Sequence, residues 1–201
     1  SAAWGDYDGD GRLDILVVGD TGDSKISKVY HNDGNGVFTD INAGLPGLYD
    51  GAAAWGDYDA DGDLDIILTG NTGYTRISRI YRNDGHGVFA AVNSGIVRVD
   101  RGSVAWGDFD GDGDLDLLIA GSSDAGRVSI LYRNDGNGVF VDLSAGLTGI
   151  ESGSIAWGDY NSDGRLDIFM VGWSDSGRIM EIYRNDGNGI FTNINAGLEA
   201  A

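Results

Sequence analysis

The chain has 201 residues, 41% of them hydrophobic, with no cysteine and a formal net charge of −19. The apolar content excludes a disordered chain, the acidity excludes nucleic acid or an anionic membrane surface as partner, and the missing thiols exclude disulfide staples. Glycine at 35 against a single proline assigns the turns to glycine and Asn/Asp chemistry, and no apolar run approaches the roughly 18 residues that a membrane insertion needs.

In chain order, residues 2–6 read as a small strand that leads into an acidic turn. Asp6, Asp8, Asp10 and Asp14 occupy positions one, three, five and nine of that turn, around Gly11. Alternate side chains on a tight loop converge on one point, and the glycine permits the backbone angle this requires. Residues 13–19 are almost continuously apolar, as expected of a strand buried on both faces. A third strand is predicted over 27–31. The turn Asn32-Asp-Gly-Asn-Gly36 then forms a hairpin, because Asn and Gly tolerate positive φ. Val37-Phe38 opens a fourth strand, and Gly44-Leu45 starts a connection.

The pattern then recurs. Trp4, Trp55, Trp106 and Trp157 stand 51 residues apart. Asp57, Asp59, Asp61 and Asp65 surround Gly62; Asp108, Asp110, Asp112 and Asp116 surround Gly113; Asp159, Asn161, Asp163 and Asp167 surround Gly164. Second strands are predicted over 64–70, 115–121 and 166–172, third strands over 78–82, 129–133 and 180–184, and hairpin turns over 83–87, 134–138 and 185–189. Four antiparallel strands per 51-residue repeat, with one aromatic at fixed phase, predict an all-β propeller of four-stranded blades. The blades are residues 1–51, 52–102, 103–153 and 154–201, with no helix. A solenoid is the alternative.

Carboxylates packed this closely repel unless a cation sits among them. Hard oxygen donors on a flexible loop suit Ca²⁺ better than Mg²⁺. One Ca²⁺ is therefore expected per repeat, four in all, which would bring the charge from −19 to −11. A backbone carbonyl at the seventh position, from Arg12, Asp63, Asp114 and Arg165, is expected as a further ligand, with the side chain pointing away. A metal-free Asx-turn is the alternative. An EF-hand is excluded, because its twelfth-position Glu is replaced by Val17, Leu68, Ile119 and Met170. Asn161 puts a neutral amide where the other turns have a carboxylate, so the fourth site should be the weakest. The ion should hold first strand to second.

Four copies of Asp-x-Asp/Asn-x-Asp-Gly-x-x-Asp resemble the FG-GAP/VCBS class of calcium-binding blades, which is similar to the integrin α-subunit propeller. The family's glycine survives as Gly19, Gly70, Gly121 and Gly172, but no Phe-Gly pair precedes the acidic turns. The bacterial VCBS type is therefore nearer, and integrin-style ligand recognition is not carried over. The resemblance implies a secreted or cell-surface protein and rings of about six to eight blades. The chain would then be part of a larger ring, half of an eight-bladed homodimer, or a four-bladed monomer. Ser1 begins inside the repeat with no leader before it, as expected of a mature product or of a piece of a longer chain.

The periodic tryptophans are expected to pack between blades, with sugar stacking as the alternative. Loops 20–24, 71–75, 122–126 and 173–177 should share a face with connections 45–50, 96–100 and 147–152, opposite the acidic turns. That face, with Tyr74 and Trp173, is the candidate surface for a protein or carbohydrate ligand. His31 and His86 have no nucleophile at a fixed partner position, so no catalytic residue and no enzyme activity are expected. Arg82, Arg133 and Arg184 should be solvated or paired with nearby Asp. The function read from these features is an extracellular calcium-binding module for adhesion, lectin-like or protein-partner binding. A passive spacer and the non-catalytic part of a secreted polysaccharide-active enzyme are the alternatives.

Overall fold

The computed structural model describes residues 1–136 and 138–199; Asn137, in the third predicted hairpin turn, and Ala200 and Ala201, at the end of the last predicted blade, lie outside them. The first blade consists of β1 (Ala2–Gly5), β2 (Asp14–Asp20), β3 (Lys25–Gly34) and β4 (Val37–Asp40). The second has β5 (Tyr49–Gly56), β6 (Asp65–Asn71), β7 (Arg76–Asn83) and β8 (Phe89–Val92). The third has β9 (Asp100–Gly107), β10 (Asp116–Ser123), β11 (Gly126–Asn134) and β12 (Phe140–Asp142). The fourth has β13 (Glu151–Gly158), β14 (Asp167–Ser174), β15 (Gly177–Gly187) and β16 (Ile190–Asn193). Each blade is one four-stranded antiparallel sheet whose strands pair in chain order, and no helix occurs among the described residues. The fold is a β-propeller section, as the repeat pattern predicts.

The second strands show why their sequences are so apolar. Successive side chains on a strand point to opposite faces, and each interior blade has a neighbour on both sides. Ile66 and Leu68 enter the core shared with the first blade, while Ile67 enters the core shared with the third. Leu117 and Ile119 likewise face the second blade, and Leu118 faces the fourth. Each fully buried Leu or Ile contributes about 1.5–3 kcal/mol. In β2, by contrast, buried and half-buried residues alternate. The apolar run Leu13–Gly19 was expected to be buried on both faces, but in the first blade one face has no neighbouring blade over it.

The first strands of blades two to four begin ahead of residues 52, 103 and 154, so the boundaries drawn from the period cut through β5, β9 and β13. The extra length comes from a bulge. Register shifts between Tyr49 and Ala52 and between Glu151 and Ser154. Asp50, Arg101 and Ser152 there take φ of 49°, 48° and 49°. The glycine after each lies against a carbonyl of the second strand, Thr69, Ala120 or Val171, where a Cβ would collide. The third strands also run longer than predicted, into the Asn-Asp-Gly turns. His86 takes the φ of 53° that Asn35 and Asn188 take at 54°.

Trp55 lies flat against Tyr7 of the preceding blade (centroids 6.2 Å apart, planes at 9°), Trp106 against Tyr58 (6.4 Å, 16°) and Trp157 against Phe109 (6.5 Å, 10°). The packing role expected for these tryptophans is what the structure has. The second-to-third-strand loops and the blade connections share a face: Ile26 bridges to Leu48, Val128 bridges to Ile150, and Lys25 Nζ donates to the Thr72 carbonyl (3.2 Å). This face is at the opposite end of the second strands from the acidic turns.

Candidate metal centre

Each acidic turn joins the first strand of a blade to the second, and its aspartates fold it by accepting backbone N–H groups. In the first turn Asp6 accepts from Asp10 at Oδ1 (3.1 Å) and from Gly11 at Oδ2 (2.9 Å). Asp57, Asp108 and Asp159 repeat both bonds at 2.9–3.1 Å. The central glycines, at φ 85°, 97°, 96° and 84°, occupy the left-handed region that favours this residue. The fifth-position acids accept the seventh-position N–H at 2.8–3.0 Å.

The ninth-position aspartates are buried staples. Asp116 accepts the Asn134 N–H at Oδ1 (2.9 Å) and the Phe109 N–H at Oδ2 (3.0 Å), which ties the turn to both the third strand and its own beginning. Asp14, Asp65 and Asp167 make the same two bonds. The turns therefore realise the hydrogen bonding of an Asx-turn. They also gather carboxylate oxygens from Asp6, Asp8 and Asp14, from Asp57, Asp59 and Asp61, and from Asp108, Asp110 and Asp116 within 4.8 Å of one another.

This crowding has an electrostatic cost. Burial, opposed by the two N–H donors and reinforced by neighbouring aspartates, pushes the carboxyls of Asp65 and Asp116 up to about 7. Asp14 is raised for the same reasons, burial foremost. Burial and then the adjacent Asp61 or Asp112 raise Asp59 and Asp110. Asp59 Oδ1 is buried with no hydrogen-bond partner. In the second and third turns an all-oxygen donor set with excess negative charge, joined in the second by an unpartnered oxygen, fits a hard divalent cation.

The fourth turn differs. Asn161 donates its amide to Asp163 Oδ2 (2.9 Å) while accepting the Asp163 N–H (3.0 Å). Desolvation pulls the Asp163 carboxyl up, but the Asn161 amide and Arg165 outweigh it and lower its pKa.

At the seventh position the arginine side chains do not point away, as expected from sequence. Arg12 pairs with Asp10 and donates from Nε to the Asn32 carbonyl (2.6 Å). Arg165 pairs with Asp163 (2.6 Å) and donates to the Asn185 carbonyl (2.8 Å). The guanidinium is long enough to fold back over the turn, where it offsets one carboxylate and caps the adjacent hairpin.

Two groups of residues that sequence reasoning set aside also belong here. His31 Nδ1 lies 3.2 Å from Asp8 Oδ2 and 3.4 Å from Asp14 Oδ1, inside the first cluster. Because Tyr30 pairs with Ile15, the next residue faces Asp14, and that register was the available signal. Its counterparts Arg82, Arg133 and Arg184 turn outward to Asp84, Asp135 and Asp186, as expected. The second group is the hairpin asparagines. Asn83 Nδ2 donates to the Tyr7 carbonyl (2.8 Å), Asn134 to Tyr58 (2.7 Å) and Asn185 to Phe109 (2.9 Å), each clasping the turn of the preceding blade.

A family model described as an FG-GAP-like repeat matches residues 6–68, 57–119 and 108–170. Each match starts at the first aspartate of an acidic turn and ends in the second strand of the following blade. No curated protein matches the chain.

Proposed function

We propose, for a chain that belongs to the FG-GAP-like repeat family, a calcium-stabilised propeller module that binds a protein or carbohydrate partner outside the cell. The observation that carries the calcium reading is the gathering of carboxylate oxygens in the turns, with Asp65 and Asp116 pushed up to about 7 by burial first and by neighbouring aspartates after it, and Asp59 Oδ1 buried without a partner. Asp6, Asp8, Asp10 and Asp14, and their counterparts in the other blades, would hold the ion. A Ca²⁺ in each turn would supply the positive charge that lets these carboxylates stay ionised side by side. The ninth aspartate transmits that order to the blade, because its oxygens already fasten the third strand and the start of the turn.

FG-GAP repeats are typical of extracellular or surface proteins, and free calcium is abundant there. The loop face opposite the acidic turns is the partner surface in this reading. Tyr74 is 99% exposed on it, and the Arg178 guanidinium lies 4.8 Å from the centre of the half-exposed Trp173 ring. Planar groups of this kind suit a sugar ring or a peptide side chain. In this reading the chain does no catalysis: His31 is enclosed by aspartates and has no nucleophile beside it.

Calorimetric titration with Ca²⁺, with Mg²⁺ as control, tests the site. One ion per turn is expected, with about 2.7 kcal/mol of added stability per site at roughly a hundredfold excess over Kd. Asp112→Ala should remove one equivalent. Identical melting temperatures in calcium and in chelator would refute the proposal. A glycan array probed in calcium tests the face.

A further inference from the structure

The chain has two histidines, and they occupy different positions of the repeat. His31 stands where the other blades have Arg82, Arg133 and Arg184; His86 stands where they have Asn35, Asn137 and Asn188. The fold nevertheless brings both to one cleft of about 670 Å³ between the first and second blades, whose walls also carry Asp8, Asp10, Asp33 and Asp63. Both walls belong to packed blades. Asn83 of the second-blade hairpin donates to the Tyr7 carbonyl (2.8 Å), and a Cβ at Gly87 would stand 3.3 Å from Ile41 and 3.7 Å from the Tyr7 hydroxyl. The matching cleft between the third and fourth blades has Arg133 and Asn188 at the two places.

The His31 ring lies among four carboxylates. Nδ1 is 3.2 Å from Asp8 Oδ2 and 3.4 Å from Asp14 Oδ1, and Nε2 is 3.6 Å from Asp33 Oδ1 and 3.9 Å from Asp10 Oδ2. Although buried, Nδ1 is aligned for a hydrogen bond to none of the described residues. Tyr7 meets the imidazole edge-on (6.3 Å, 82°) and restrains the ring. One donor atom each from Asp8, Asp10 and His31 falls within 4.8 Å of the other two. Zinc bonds to nitrogen and oxygen run about 2.0–2.2 Å, so small side-chain shifts let one ion touch all three.

An imidazole nitrogen changes what such a turn selects. Ca²⁺ takes oxygen ligands, whereas imidazole suits zinc and its transition-metal neighbours. The arginine of the other blades has no lone pair to offer and adds a positive charge. We infer that the first acidic turn is a transition-metal site that takes Zn²⁺ through His31, Asp8 and Asp10, with His86 facing it across the cleft. The inference rests on reading the acidic turns as cation sites. Asp8 and Asp10 also belong to the calcium set, so zinc displaces calcium from this turn alone. Arg12, exposed and paired with Asp10, yields that carboxylate to the ion.

Calorimetric titration of the calcium-loaded protein with Zn²⁺, at about pH 7.5 where an ordinary imidazole is neutral, tests this, with elemental analysis of the bound ions. One zinc should enter and one calcium should leave. His31→Arg installs the residue of the other three blades, and Asp33 stands where Asp84, Asp135 and Asp186 receive it, so this variant should fold. It should lose the zinc and keep its calcium. No zinc uptake, or zinc bound equally well by His31→Arg, would overturn the inference. Zinc lost with His86→Ala but kept with His31→Arg would also overturn it, marking an adventitious surface histidine. Zinc uptake without any calcium binding would support it while refuting the calcium reading; a full set of calcium ions with no zinc would do the reverse.

Discussion

The asparagine clasp permits one substitution to be compared at four equivalent positions. Asn134 is fully buried; its Nδ2 donates to the carbonyls of Tyr58 (2.7 Å) and Leu115 (3.2 Å), and its Oδ1 accepts the Gly136 N–H (3.1 Å). Asn134→Ala leaves two carbonyls and one N–H without partners in a dry interface. At about 1–1.5 kcal/mol for each lost bond, the cost is about 3–5 kcal/mol. Asn83 and Asn185, with the same bonds, should cost the same. Among the described residues the Asn32 side chain bonds Leu13 and Gly34, both at 3.0 Å, on a face open to water. Water replaces those bonds, so Asn32→Ala should cost about 1 kcal/mol. Equilibrium urea unfolding in calcium reads the difference as a shift in midpoint at constant slope. Equal costs at Asn32 and Asn134 would show that the bond to the preceding blade contributes nothing.

Among the acidic turns, the fourth should bind calcium most weakly, because Asn161 removes one charge and its amide occupies Asp163 Oδ2. Titration of variants that retain one intact turn each would give the order, and a fourth site tighter than the third would contradict it. The pH dependence without calcium is also specified. Asp65 and Asp116 stand near 7 in the folded chain against an ordinary 3.8 when unfolded. Between those values the folded state binds more protons, so these two residues make stability fall as pH rises from about 4 to about 7, by up to a few kcal/mol. Asp40, Asp163 and Asp186, whose carboxyls are lowered, act the other way but only below about pH 4, outside this window, and they are near the surface and screened. Calcium needs the ionised acids and should reverse the slope. Denaturant melts with chelator at pH 5 and pH 8 check this; greater stability at pH 8 would be the wrong sign.

What could be read from the sequence is what depends on neighbours in the chain. The 51-residue period, the Asn-Asp-Gly turns and the apolar second strands place all four sheets, since turn chemistry and strand alternation are local. The acidic turns were legible for the same reason: Asp6 and Gly11 close on each other over five residues. What failed depends on distant contacts. The bulge at Asp50 exists because Gly51 must pass close to Thr69. Arg12 turns inward because the Asn32 carbonyl, twenty residues on, is within reach. Asn83 reads as a turn residue, and nothing nearby in sequence points to its bond with Tyr7, 76 residues back.

Equivalent positions also acquire unequal environments from their place in the array. The second strand is apolar in every repeat, yet all but the last residue of β6 is buried, while β2 alternates and β14 exposes Phe169 and Trp173. In a repeat array, stability is the sum of unit terms and nearest-neighbour interfaces. Four blades in one chain make three such interfaces and leave Trp4 and Tyr160 in water. Each terminal blade of the described array therefore lacks one interface of the kind that the interior blades use on both sides.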